Sequence, residues 1–197
     1  MAESFLRRES PLEFFREQVG SACERQGLHA RPTTEYYVVS LLAAFADVSA
    51  NGPGEAMTSN EPLGLKLLRA MESGGADMRT NLRRVGDVSL FISGFFSDSL
   101  RRSLVDIDYY VSIGGYAYGS LGREAGDPMA ETFEELSAKF VSFVDVLAEV
   151  SERSALTRNS DLLRLYDRWV KTGSKRNGDL LAERGLVPPT ARSKRIQ

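Results

Sequence analysis

Cysteine and histidine are almost missing from this sequence, which has 197 residues and one of each. The lone cysteine, Cys23, excludes an internal disulfide, and the lone histidine, His29, excludes zinc sites that use two or three histidine ligands. Di-iron helical bundles are excluded as well, because they need two Glu-x-x-His motifs. We therefore predict that the protein has no metal site.

The motifs of several common enzyme classes are also missing. The sequence has no GxGxxG after a strand, no GxxxxGK[ST] phosphate loop and no GxSxG nucleophile elbow. His29 could still serve a serine or cysteine nucleophile, although it lies in a segment typical of an exposed loop. Cys23 lies on an apolar helical stripe, which predicts a buried and unreactive thiol. We predict no cofactor and no catalytic residue, and we leave enzyme activity open.

A long apolar run is missing from the start of the sequence and from the rest of it. Residues 1–10 are polar and charged, unlike a signal peptide, and no stretch approaches the length of a membrane span. Together with the lone cysteine, this predicts a cytoplasmic protein with no membrane span.

Most of the sequence shows the spacing of apolar residues that is typical of helices. Ser10-Pro11-Leu12-Glu13 is typical of a helix start, and Gly27 is typical of a helix end. Residues 105–110 alternate with a period of two, but too briefly to predict a strand. We predict an all-α protein with a single globular domain of seven or eight helices around a central antiparallel helix hairpin. The predicted organisation is a flexible N-terminus at 1–9, a helical domain at 10–186 and an extended basic tail at 187–197.

Two segments of the second half are strongly amphipathic. One is predicted as a single helix from 128 to about 150. The other is predicted from Ser160 to Gly173. Its apolar side chains are Leu162, Leu163, Leu165, Tyr166, Trp169 and Val170.

The central hairpin is predicted from two apolar helices, at about 77–96 and 100–121, that carry many small residues. Glycine in a helix costs about 1 kcal/mol relative to alanine, so the glycines need a compensating reason. Close packing of the two helices is one reason, and room for a ligand is the other. For close packing, the spacing predicts three facing pairs: Ser93 with Asp108, Ser89 with Ser112, and Gly86 with Gly115.

Aspartates are the polar residues least expected in these apolar helices. A buried carboxylate must be hydrogen-bonded or paired, or its pKa must rise. We predict either a structural polar network or a pocket for an amine or a divalent ion, and we expect Asp108 to be buried. Asp106 and Asp108 diverge on a helix by about 200° and cannot chelate one ion together, which counts strongly against a divalent ion and agrees with the prediction of no metal site. The candidate network or pocket residues are Asp87, Ser89, Ser93, Asp106, Asp108, Tyr109, Tyr110, Ser112 and Tyr116; Tyr118, Arg83, Arg84, Arg101 and Arg102 are further possible partners.

Charge is unevenly distributed along the chain, whose net charge is -2. Residues 153–197 carry 11 basic and 4 acidic side chains, whereas the rest carries 14 basic and 23 acidic ones. This asymmetry predicts a partner with an acidic surface, or self-association. The predicted partner-binding residues are Arg164, Arg168, Lys171, Arg184, Arg192, Lys194 and Arg195.

Four short motifs carry a resemblance to a known family. They are Ser-Pro-Leu-Glu at 10–13, Thr-Glu-Tyr-Tyr at 34–37, Gly-Asp-Val-Ser-Leu-Phe at 86–91 and Asp-Ile-Asp-Tyr-Tyr at 106–110. In these motifs the chain resembles an uncharacterised family of small all-helical bacterial proteins, over most of residues 10–185. The resemblance implies a bacterial, cytoplasmic setting and adds no activity.

Three functions remain open on these observations. The first is a non-enzymatic interaction or assembly module that binds an acidic protein partner or forms homo-oligomers. The second is a small-molecule-binding or enzymatic protein that uses an Asp/Tyr pocket in the central hairpin. The third, association with nucleic acid, is the least favoured, because the isoelectric point of about 5.6 is acidic and no recognition motif is visible.

Overall fold

The computed structural model describes residues 10–46, 61–97, 106–124 and 126–153. Within these ranges there is no strand, and residues 107–110 of the short alternating segment are helical. The all-α prediction is confirmed. The described helices are α1 (Pro11–Gln26), α2 (Pro32–Ala46), α3 (Leu63–Glu72), α4 (Gly75–Phe95), α5 (Ile107–Gly122), α6 (Ala130–Ala138) and α7 (Phe140–Arg153).

The limits of α1 follow the sequence prediction. The Ser10 hydroxyl accepts a hydrogen bond from the Glu13 amide at 3.2 Å, and the Glu13 carboxylate accepts one from the Ser10 amide. At the other end, Gly27 adopts a left-handed conformation with φ 65°, which favours glycine. Cys23 is buried on the inner face of α1, as predicted.

The central antiparallel hairpin is formed by α4 and α5, as predicted. Gly86 lies opposite Tyr118, and Ser89, further along α4, lies opposite Gly114, which is earlier on α5. The two helices therefore run in opposite directions. α4 also packs on α3 and α7, and α5 also packs on α6, so the hairpin is central to the bundle.

The register of this hairpin differs from the predicted one. Gly86 faces Tyr118, three residues beyond the predicted Gly115, and Ser89 faces Gly114 rather than Ser112. A Cβ atom at Gly115 would meet no other atom within 4 Å. The predicted pairs of Gly86 and Ser89 were wrong, because the bulky Tyr118 ring, rather than a second small residue, fills the space above Gly86.

Some of the small residues of α5 contact α6 rather than α4. A Cβ atom at Gly119 would come within 2.9 Å of Ser137 Oγ on α6. The Ser137 hydroxyl also donates a hydrogen bond to the Gly115 carbonyl at 2.8 Å. At Gly119 it is therefore α6, rather than α4, that approaches α5 closely.

The amphipathic segment at 128–150 forms two helices rather than one. The break is at Lys139, whose φ of -112° and ψ of 25° depart from helical values. Its ammonium group donates to the His29 carbonyl at 2.6 Å and to Glu135 Oε1 at 2.8 Å. The residue at the break thus ties α6 to the turn between α1 and α2. The predicted apolar stripe is buried throughout: Phe133, Leu136, Phe140, Phe143, Val144, Leu147 and Val150.

The end of α7 lies at the end of the bundle where α4 finishes and α5 begins. The Ser151 hydroxyl donates to the Phe95 carbonyl at 3.0 Å. At the same end, the Gly64 amide at the start of α3 donates to the Tyr109 hydroxyl at 3.0 Å. We call this the exit end, because the chain beyond Arg153 leaves from it.

Candidate functional site

A polar cluster lies where α2, α4 and α5 meet. The Tyr37 hydroxyl donates to Asp87 Oδ1 at 2.6 Å, and the Tyr118 hydroxyl donates to the same oxygen at 2.7 Å. Both tyrosines are buried, and the Asp87 side chain is 14% exposed. One carboxylate oxygen therefore holds two other helices against α4. We refer to these three residues and Arg83 as the Asp87 cluster.

Arg83 connects this cluster to solvent. Its Nε donates to the Tyr37 hydroxyl at 3.0 Å and lies 3.8 Å from Asp87 Oδ2. Its guanidinium carbon lies 5.1 Å from the centre of the Tyr37 ring, within range of a cation–π contact. Because the Arg83 side chain is 56% exposed, it is the part of the cluster most accessible from outside.

Gly86 explains how Tyr118 reaches Asp87. A Cβ atom at Gly86 would come within 2.5 Å of the Tyr118 ring, so only glycine leaves room for that ring over the α4 backbone. Phe133 of α6 then fixes the ring by stacking on it, with centroids 5.7 Å apart. The sequence Gly86-Asp87 therefore supplies both the space for Tyr118 and the acceptor for its hydroxyl.

Burial dominates the electrostatics of the Asp87 cluster. It raises the pKa of Asp87, and the hydrogen bonds from Tyr37 and Tyr118 and the charge of Arg83 oppose this rise only in part. Burial and the Asp87 charge raise the pKa of both tyrosines well above 10. The two hydroxyls therefore remain donors at neutral pH. This arrangement suits a fixed structural network better than proton exchange with a ligand.

Ser89 and Ser93, which the sequence placed in the same network, are buried on α4 but do not join the Asp87 cluster. The Ser93 hydroxyl donates to the Ser89 carbonyl at 2.7 Å, within its own helix. The Ser89 hydroxyl lies in the α4–α5 contact and makes no hydrogen bond within the described part of the chain. Small size, rather than polarity, is what both serines contribute to the packing.

Asp108 is exposed in the first turn of α5, so the prediction that it is buried was wrong. Acidic side chains are favourable at this position because the helix dipole places partial positive charge at the N-terminus. Asp106 is the N-cap, and its Oδ1 accepts a hydrogen bond from the Ile107 amide at 2.7 Å. Both aspartates therefore stabilise the start of α5 and lie outside the Asp87 cluster.

The other candidate residues of α5 are also dispersed. The Tyr109 hydroxyl accepts from Gly64 of α3, and Tyr110 is half-buried against the core. Ser112 and Tyr116 are exposed. The predicted Asp/Tyr constellation is thus reduced to Asp87, joined by Tyr118 and by Tyr37, which the sequence reasoning missed. A signal for Tyr37 was available, because a tyrosine in a helix that is apolar on most sides needs a buried partner for its hydroxyl.

A second polar cluster, also missed from sequence, surrounds the buried Glu135 of α6. Its carboxylate accepts from the Arg31 amide at 3.0 Å and from the Lys139 ammonium at 2.8 Å. Burial raises the pKa of Glu135, but these hydrogen bonds outweigh that effect and the net pKa is lowered. The Glu135–Lys139 spacing of four residues was the available signal.

Cys23 and His29 have no part in the Asp87 cluster. Burial and the nearby charge of Glu35 raise the pKa of the Cys23 thiol to about 11. His29 is exposed, and its carbonyl oxygen accepts the hydrogen bond from Lys139. In the four described ranges, no three His, Cys, Asp or Glu side chains are grouped as metal ligands would be.

Arg101 and Arg102 lie outside the described residues. So do all the predicted partner-binding residues, which are Arg164, Arg168, Lys171, Arg184, Arg192, Lys194 and Arg195. The predicted N-terminus at 1–9 and basic tail at 187–197 also lie outside them. None of the helices described between residues 10 and 153 combines the length and apolar composition that crossing a membrane requires. Comparison with known proteins finds no matching family model, no matching curated protein and no matching solved structure.

Proposed function

We propose that this protein is an interaction or assembly module that binds an acidic protein surface through its basic C-terminal segment, residues 153–197. The observation that carries this proposal is the separation of charge: an excess of seven positive charges in that segment and of nine negative charges in the remainder. Opposite charge on two parts of one chain promotes association with oppositely charged surfaces and raises the rate of encounter.

Exposed carboxylates are distributed over the helical body. Glu72, Asp108, Glu131 and Asp145 are exposed on four different helices. Any other copy of the chain therefore offers exposed carboxylates to which the basic segment can bind. Self-association through the basic segment is thus one form of the proposed activity.

The Asp87 cluster supports a scaffold role more than a ligand pocket. Asp87 Oδ1 already accepts two hydrogen bonds, and the donors Tyr37 and Tyr118 are buried. A ligand that bound to Asp87 Oδ1 would have to displace one tyrosine and leave its hydroxyl without a partner, which costs about 1–3 kcal/mol. The pocket hypothesis is therefore second to the interaction hypothesis. Association with nucleic acid stays third, on the acidic isoelectric point.

The test compares two triple charge reversals in the full chain, Arg164→Glu/Arg168→Glu/Lys171→Glu and Arg16→Glu/Arg79→Glu/Arg84→Glu. The second set is the matched control, because its three residues are exposed on the helical body and its substitutions change the net charge of the chain by the same amount. Retention of partners on the immobilised protein is measured over a range of salt concentrations, and self-association is measured by sedimentation velocity. We expect the first set alone to lose salt-sensitive binding, because exposed charges are screened beyond about 8 Å at physiological ionic strength.

A truncation lacking residues 188–197 supplies an independent measurement. It should retain the thermal stability of the full chain and bind partners less strongly at low salt. Equal retention by both triple variants and the truncation at every salt concentration would remove the proposal. A truncated protein that no longer folds would show that the tail is structural.

A further inference from the structure

An exposed apolar surface lies along α3 and α5. Among the described residues, eight large apolar or aromatic side chains are exposed, and five of them belong to these two helices. We call these five the α3–α5 face: Leu65, Leu68, Met71, Tyr109 and Tyr116. They expose between 37% and 56% of their surface. Neighbouring apolar side chains on a protein surface are typical of a site that another protein covers.

The contact at Gly64 shows that the two helices contribute to one surface. The Gly64 amide donates to the Tyr109 hydroxyl at 3.0 Å, so Tyr109 lies against the start of α3. Leu68 and Met71 follow Gly64 at i+4 and i+7 and therefore lie on the same side of α3 as Gly64. Leu65 precedes Leu68 by three residues and adjoins that side. The side chains of the face thus flank the line along which α3 and α5 meet.

The two helices also run in the same general direction, so the face is elongated. α3 and α4 pack against each other and are joined by the two-residue connection at 73–74, which is typical of antiparallel helices. Since α5 is antiparallel to α4, α3 and α5 both run away from the exit end. Tyr116 follows Tyr109 at i+7 and continues the face by about 10 Å along α5. An apolar strip of this shape, bordered by two helices, suits a helix of a partner.

Two basic side chains lie on α3, and both are close to the same acid. The Arg69 guanidinium lies 3.0 Å from the Glu61 carboxylate. Lys66 is partly buried, which lowers its pKa, and the negative charge of Glu61 opposes that effect. Helix α5 carries no basic side chain. The basic charge of this region is therefore engaged by Glu61.

Three carboxylates border the face and make no ion pair within the described residues. Glu72 follows Leu68 at i+4 and therefore lies on the same side of α3. Asp106 and Asp108 lie at the start of α5, next to Tyr109 in the chain. All three carboxylates are exposed. The α3–α5 face thus has an apolar centre and an acidic border.

We propose that the α3–α5 face binds an amphipathic helix of a partner protein whose apolar side is flanked by lysine or arginine. The apolar side of such a helix covers the exposed leucine, methionine and tyrosine side chains, and its basic flanks pair with the three carboxylates. A helix with acidic flanks is disfavoured, because like charges would face each other across the border. This surface goes beyond the proposed function, since it consists of different residues and binds a partner of the opposite charge.

The probe for this surface is a labelled synthetic helix of about 18 residues, with leucine at i, i+3, i+4 and i+7 and lysine elsewhere. Fluorescence anisotropy measures its binding to the full chain as wild type, Leu68→Gln and Val141→Gln. Val141 of α7 is the matched control, since it is 56% exposed, as is Leu68. We expect Leu68→Gln to weaken binding by about tenfold or more, because it places an amide in the apolar centre. Val141→Gln should leave binding unchanged.

A second pair of variants tests the acidic border. Glu72→Gln/Asp108→Asn removes two carboxylates at the face, whereas Glu134→Gln/Asp145→Asn removes two exposed carboxylates from α6 and α7 and changes the net charge equally. The first variant alone should weaken binding of the lysine peptide, by about three- to tenfold at low salt. A peptide with glutamate in place of lysine should show no binding that depends on Leu68.

Four outcomes would overturn this inference. The first two are no saturable binding up to about 1 mM lysine peptide, and equal binding by Leu68→Gln and Val141→Gln. The third is an equal effect of the two double variants. The fourth is self-association of the wild type, measured by sedimentation velocity, that Leu68→Gln abolishes, because this would identify a second copy as the occupant.

Circular dichroism checks that each variant keeps its helices, and Met71→Gln replaces Leu68→Gln if it does not. Failure of this inference leaves the proposed function intact, and the reverse also holds. The face is tested with a basic peptide and substitutions on α3, whereas the proposed function is tested by charge reversals in the C-terminal segment and by retention of acidic partners.

Discussion

Gly114 of α5 lies so close to Ser89 of α4 that a Cβ atom at Gly114 would come within 2.7 Å of the Ser89 Cβ. The same Cβ atom would also meet the ring of Phe140 on α7. The next residue, Gly115, has no such neighbour within 4 Å. A side chain at Gly114 would therefore clash with α4 and α7, whereas a side chain at Gly115 would not.

This difference predicts opposite effects of the same substitution. Gly114→Ala should lower the free energy of unfolding by about 1–3 kcal/mol, because the added methyl overpacks the contact of α5 with α4 and α7. Gly115→Ala should raise the free energy of unfolding by up to about 1 kcal/mol, since alanine is the better helix former. Urea denaturation measures both. Equal effects of the two substitutions would contradict the observed rotation of α5.

The hydrogen bond from Tyr118 to Asp87 predicts a cost for removing a single oxygen atom. Tyr118→Phe should destabilise the protein by about 1–3 kcal/mol, because it withdraws one of the two hydroxyl donors from a largely buried carboxylate. Tyr116→Phe on the exposed side of α5 is the control and should change stability little. Thermal and urea denaturation of both variants provide the comparison, and equal stability of the two would exclude an energetic role for the hydrogen bond.

Gly86 and Tyr118 should be energetically coupled. Gly86→Ala introduces a methyl group into the space of the Tyr118 ring and should destabilise the wild type by about 1–3 kcal/mol. In a Tyr118→Ala background the ring is absent, so the same change should cost much less. A double-mutant cycle measures this coupling, which is expected between about 0.5 and 3 kcal/mol. Additive effects would show that the position of the Tyr118 ring does not depend on the space left by the absence of a Cβ atom at Gly86.

The two buried carboxylates predict opposite pH dependences. The folded-state pKa of Asp87 is raised, so the folded protein binds that proton more tightly, and this group favours folding increasingly as the pH falls from neutral toward 4. The folded-state pKa of Glu135 is lowered, so its stabilising contribution is present above its unfolded pKa of about 4.5 and is lost on acidification.

Comparison with Asp87→Asn and Glu135→Gln isolates the two contributions. As the pH falls, the wild type should gain stability relative to Asp87→Asn and lose stability relative to Glu135→Gln. Urea denaturation at a series of pH values gives both differences. Parallel pH profiles for the wild type and the two variants would contradict the assigned pKa directions.

The fold class and most helix limits were predictable because local signals fix them. The capping pair Ser10 and Glu13 and the glycine at position 27 act within a few residues, and so does helical periodicity. The break at Lys139 was not predictable in this way, because the group that holds it is the carbonyl of His29, 110 residues away. Long-range contacts of this kind leave no periodic signal.

The candidate site was predicted only in part, for a geometric reason. The sequence included Asp87 among the candidate network residues and Tyr118 among its possible partners. It selected Gly115 rather than Gly114 as the packed glycine, because Gly115 continues the spacing of the small residues Asp108, Ser112 and Gly119. The two glycines differ by about 100° around the helix, so this choice placed the wrong side of α5 against α4.

The error about Asp108 came from the predicted start of its helix near residue 100, which placed Asp108 in the helix interior. In the structure α5 begins at Ile107, and Asp108 lies in its exposed first turn.

The burial of Tyr37 and Tyr118 makes the opening of the bundle detectable by the ultraviolet absorbance of tyrosine. Two of its seven tyrosines are hydroxyl donors to Asp87, and their pKa values lie well above 10. Neither phenol can ionise without placing a second negative charge beside that carboxylate. In an alkaline titration, the phenolate absorbance of these two residues should therefore appear only when α2 and α5 separate from α4. The absorbance of these two phenolates therefore reports the opening of the centre of the bundle.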